Sequence, residues 1–154
     1  MSFAIEKILA PATGHPSRPP VEEVGQRLNI AVVFTSVDST LAALKEAGNL
    51  ANSLGARITL VVPQVVPYPL PLGSSPVLVE FNENRFRVIA SKSPVETSVH
   101  IYLCRDRFDT LTSVLKAGSI VVLGGRKRWW PTKDETLARQ LRHAGYEVLF
   151  KETE

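Results

Sequence analysis

The sequence predicts a doubly wound α/β domain built on one parallel five-stranded sheet, and three observations predict it. Apolar runs at 30–34, 57–62, 99–103, 120–123 and 146–150 alternate with four segments of helical periodicity, the succession of a parallel α/β domain. The runs at 30–34 and 120–123 contain no polar residue, as expected of strands covered on both faces. The connections are long enough for crossovers, which in such units are right-handed. With 154 residues, 44% of them hydrophobic, one domain can bury a core without disulfides or metals.

Composition excludes several classes. Cys104 is the single cysteine, so no internal disulfide forms, and the three widely separated histidines have no zinc-ligand spacing. The net charge of +3 and pI near 9.2 are mild, and the basic residues are dispersed apart from 126–128, which does not describe a general nucleic-acid coat. Residues 1–9 carry Glu6 and Lys7 within a short apolar stretch, too broken for a signal peptide or a membrane span. A cytoplasmic protein is expected.

In chain order, residues 1–28 read as an N-terminal extension and linker, and 29–154 as the α/β domain. Phe3, Ile5, Ile8 and Leu9 suit either a short docked helix or an added strand, and 11–20 has linker composition. The strand at 30–34 leads to a helix with Leu41, Leu44, Ala47, Ala51 and Leu54 at helical spacing, capped by Asp38 or Ser39 and stopped by Gly55. Gly48 inside it suggests close approach to the sheet. The strand at 57–62 follows. Four prolines in 63–75 make an extended connection, packed on its own domain or presented to a partner. Ser75 and Pro76 start a helix to about Ala90, with Val77, Phe81 and Val88 near one face, in preference to a hairpin at 82–84. Val99, Ile101 and Leu103 alternate with His100, Tyr102 and Cys104, the pattern of a strand towards a sheet edge. Asp106 is a candidate cap for a short helix bearing Phe108, Leu111 and Leu115.

The stretch 119–145 carries the densest signal. An apolar strand at 120–123 runs into Gly124 and Gly125, which let the backbone turn or approach a ligand, then Arg126, Lys127, Arg128, Trp129 and Trp130. Thr132 and Glu135 have capping-box spacing behind Pro131, and Leu137, Ala138, Leu141 and Ala144 give the helix its buried face. A helix N-terminus behind three cations suits a phosphate-bearing anion. Because adjacent side chains entering a helix point in different directions, at least one of the two tryptophans is expected to be buried.

These residues resemble the universal stress protein family, within the adenine-nucleotide α-hydrolase-like folds. The resemblance covers about 29–151 and lies in VDS at 37–39, ANSLGARITLVV at 51–62 and GSIVVLGGR at 118–126. It implies a sheet in the order 3-2-1-4-5, counted from Asn29, with ATP bound by family members at the carboxyl ends of strands one and four. Asp38, with Ser39 beside it, falls on the family's nucleotide-contacting aspartate, and Val62, ending strand two, falls near the backbone that meets adenine. Gly124 matches the first glycine of the family's phosphate motif, but Lys127 stands at the second and the loop is shorter. ATP would then rely on Thr132 for the capping hydroxyl and on Arg126, Lys127 and Arg128 for charge, unless Trp129 and Trp130 fill the pocket.

The expected function is a non-catalytic regulatory or ligand-sensing domain of the stress-response type, homodimeric through its C-terminal strand. Two alternatives stand beside it. One is an interaction module using 126–130 on nucleic acid or a membrane surface. The other is a weak nucleotide hydrolase, although no histidine is placed by sequence near Ser36, Ser39 or Cys104, and Asp38 has no paired acid.

Overall fold

The computed structural model describes residues 5–9, 28–66 and 79–153. Six strands form one sheet in the order β1-β4-β3-β2-β5-β6. They are β1 (Ile5–Leu9), β2 (Asn29–Val33), β3 (Arg57–Val65), β4 (Thr97–Cys104), β5 (Ile120–Arg126) and β6 (Glu147–Thr153). The helices are α1 (Val37–Leu54), α2 (Val79–Ser91), α3 (Arg107–Val114) and α4 (Lys133–His143). The five strands from β2 to β6 are mutually parallel in the expected order 3-2-1-4-5. To them β1 adds an antiparallel partner for β4, with Ile5 opposite Leu103 and Leu9 opposite Val99. Residues 5–9 therefore take the strand form rather than the helix. The linker 11–20 and the proline-rich run from 67 lie outside the described residues.

Alternation along each apolar run supplies two cores at once, because successive side chains point to opposite faces. Ile30 and Val32 join Leu44, Ala47, Ile58, Leu60 and Phe86 beneath α1 and α2. Ala31 and Val33 join Val121, Leu123, Leu111, Leu137 and Leu141 beneath α3 and α4. Two of the helix faces differ from expectation. Leu54, in the last turn of α1, is 45% exposed, and Val88 of α2 is 57% exposed while Phe86, Ile89 and Ala90 are buried. Gly48 is tight not against the sheet but against Pro94, where a Cβ would overlap the proline ring.

Strand lengths also depart from the pattern. β3 continues three residues past Val62 and includes Pro63. Proline lacks a donor, but β2 ends at Val33, paired with Val61, so that flank of β3 no longer has a ladder to complete. β4 lies towards the sheet edge as expected, with β1 pairing its outer side, but Tyr102 and Cys104 are buried rather than on a less covered face. β6 runs to Thr153, beyond the expected end at 150, and forms the other edge of the sheet.

Candidate functional site

The caps that aim the helices at the carboxyl end of the sheet are local in sequence. Thr132 Oγ1 accepts from Glu135 N at 3.2 Å to start α4, and Asp106 Oδ1 accepts from Asp109 N at 2.9 Å to start α3. For α1 the cap is Ser36, whose Oγ accepts from Ser39 N at 3.3 Å, in place of the expected Asp38 or Ser39. Asp38 is consequently an exposed residue of the first turn, where its charge complements the helix dipole.

The expected ligand loop begins as strand, and only from Lys127 does the chain leave the sheet. Gly124 and Gly125 belong to β5, are buried, and have no positive φ. Their missing side chains admit the chain itself. A Cβ on Gly124 would fall on the Ser39 carbonyl, 2.8 Å from its carbon, and one on Gly125 would meet the Phe150 ring and stand 3.2 Å from Asp134 Cβ. Hydroxyls complete the closure between β2 and β5. Thr35 Oγ1 donates to Gly124 O at 2.7 Å, Ser39 Oγ lies 3.1 Å from Thr153 Oγ1, and Thr153 Oγ1 donates to Gly125 O at 3.3 Å. Val62 is buried within β3 rather than at its end. The structure thus gathers Ser39, Gly124 and Gly125 by backbone packing and sets Thr132 at the head of α4. Arg126, Lys127 and Arg128 face solvent.

Trp129 and Trp130 are 100% and 81% exposed, so neither is buried, contrary to expectation. Around Gly124 and Gly125 the space is taken by Ser39 and Phe150, with Thr153 bonded to Ser39.

An open cleft of about 360 Å³ lies on the same end of the sheet, on the α3 and α4 side. Its apolar residues are Val65, Phe108 and Leu137, and Arg105, Arg107 and Lys133 bring positive charge to it. Arg107 Nη1 bridges to Asp134 Oδ1 at 3.1 Å, tying α3 to α4, and Arg105 Nη1 donates to Val66 O at 2.9 Å. The Asp106 carboxylate, also on the cleft, is engaged by the α3 cap. In the sequence, Asp106 and Phe108 read only as helix residues. The Arg-Asp-Arg run at 105–107, directly after an apolar strand, was the one local signal of this cleft. Cys104, just before it, is fully buried, and burial pushes its thiol above the ordinary value. Among the described residues, no group of His, Cys, Asp and Glu could hold a metal ion.

No protein-family model and no curated protein sequence matches the chain. Solved structures do. A universal stress protein from Archaeoglobus fulgidus aligns with a TM-score of 0.55 and 19% identity, over 82% of this chain and 96% of that one. A universal stress protein in complex with cAMP aligns with a TM-score of 0.47 and 17% identity, over 83% and 98%. The strand order, the helices on both faces and the first of these alignments give the chain the universal stress protein fold.

Proposed function

We propose that the chain is a non-catalytic ligand-sensing domain of the universal stress protein group that binds a small phosphate-bearing anion in the cleft between α3 and α4. The observation that carries this reading is the pairing of an apolar lining with three cations at the carboxyl end of a parallel sheet. Ligands of open α/β sheets bind at that end. Val65, Phe108 and Leu137 suit a flat apolar group, while Arg107 and Lys133, near the start of α4, suit its phosphates. A binding role fits better than catalysis, because the cleft's carboxylate is already engaged by the α3 cap.

Calorimetric titration with ATP, ADP and adenosine tests it. Affinity is expected to rise with phosphate number and to fall with added salt. Arg107→Ala and Lys133→Ala should weaken ATP binding roughly tenfold each. The same loss from Arg126→Ala with Arg128→Ala, and none from the cleft pair, would move the anion to the expected site around Asp38, Gly124 and Thr132. No heat of binding at about millimolar ATP would end the nucleotide reading.

A further inference from the structure

Trp129 and Trp130 stand side by side and almost wholly in water, directly after three exposed cations. Single exposed apolar residues are ordinary, but an exposed indole pair joined to a basic run marks an interaction surface. The loop is also held in place. Lys127 N donates to Thr153 O at 3.0 Å, and Thr132 caps α4 through Glu135 N. Only residues 128–131 span these two fixed points, and Pro131 stiffens them. Lys127 pairs with Glu152 at 4.0 Å, and with both side chains exposed this contact reduces the positive field little.

We propose that residues 126–130 dock the protein on the surface of an anionic phospholipid bilayer. Indoles settle at the headgroup level, where an apolar ring and a polar N–H are both accommodated. Each basic residue near an anionic leaflet strengthens binding about fivefold, so three contribute about a hundredfold. An apolar signal alone gives only marginal attachment, whereas an apolar signal and a basic patch together hold a protein more firmly. Among the described residues no helix is long and apolar enough to cross a membrane. A single nucleic-acid strand fits this surface less well. It requires cations tracking a groove and rings backed by protein for successive bases to stack on. Here rings and cations share five consecutive positions, and the rings are left standing free of the protein surface. A second copy docking by the same loop would set like charges against each other.

The test is sedimentation of the full chain with vesicles of phosphatidylcholine, with and without about 30 mol % phosphatidylserine, read together with tryptophan emission. The chain is expected to partition onto the anionic vesicles with a blue shift, and about a hundredfold more weakly onto neutral ones. Replacing Trp129 and Trp130 together by alanine should reduce partitioning at least about tenfold at an unchanged unfolding midpoint. Should that variant lose its fold, the pair Trp129→Phe and Trp130→Phe decides, with intermediate partitioning expected. The proposal is overturned if the wild type ignores anionic vesicles, or if either tryptophan variant partitions as the wild type does. It is equally overturned if an oligothymidylate quenches the tryptophans while vesicles leave them unchanged, or if a dimer forms that the alanine pair dissolves.

Discussion

Between β2 and β5 the carboxyl end of the sheet is filled by the chain's own backbone and hydroxyls, whereas on the α3 and α4 side a cleft of about 360 Å³ stays open. The residue types account for the contrast. Gly124, Gly125 and Ser39 are small enough to let the first turn of α1 and the β6 strand close in. Arg105, Arg107, Phe108 and Lys133 are long or bulky and line the open side, where the Arg107 to Asp134 bridge joins α3 to α4. A crevice at the strand-order reversal is thus set by topology, but whether it accepts a ligand depends on the size of the side chains around it.

The largest expected effect breaks the filled side. Gly124→Ala places a Cβ on the Ser39 carbonyl, which is backbone and cannot rotate away. Destabilisation of about 3 kcal/mol is expected in urea unfolding. A loss under about 0.5 kcal/mol would mean that α1 is not seated on β5 as described.

A smaller effect sharpens the same side. Thr153→Val removes the hydroxyl shared by Ser39 and Gly125 and leaves the buried Ser39 hydroxyl without that partner. A cost of about 1–2 kcal/mol is expected. If the variant instead gains ATP affinity with little loss of stability, the closure is a gate over the crevice rather than a structural seal.

The smallest effect concerns the open side. Cys104 lies beneath the Arg105 to Phe108 wall, and its burial raises the thiol pKa. The native protein should therefore react slowly with a thiol reagent at about pH 8, and quickly once unfolded. The protonated thiol is the form the fold prefers, so its contribution to stability is complete below the unfolded pKa of about 8.5 and is lost as pH rises towards the folded value. Rapid native labelling would show that the cleft reaches deeper than its walls suggest.

Local pattern by itself determined the strand and helix succession, the two-faced burial of 30–33 and 120–123, and the caps at Asp106, Thr132 and Gly55. Each of these is decided within a few residues, by side-chain alternation or by one hydroxyl or carboxylate satisfying a helix-end amide. The alternation of 99–104 was equally legible as a strand towards the sheet edge, where β4 lies, but local pattern could not say that β1, far away in sequence, pairs with its outer side. Gly124 and Gly125 could be recognised as sites of close approach, but only the tertiary structure decided that the approaching atoms are Ser39, Phe150 and Asp134 rather than a ligand. Only the tertiary structure, likewise, decided that Trp129 and Trp130 are both exposed. The cleft was hidden for a similar reason, since Val65, Arg107 and Lys133 meet only once the crossovers have placed three separate elements side by side, and no local spacing encodes that.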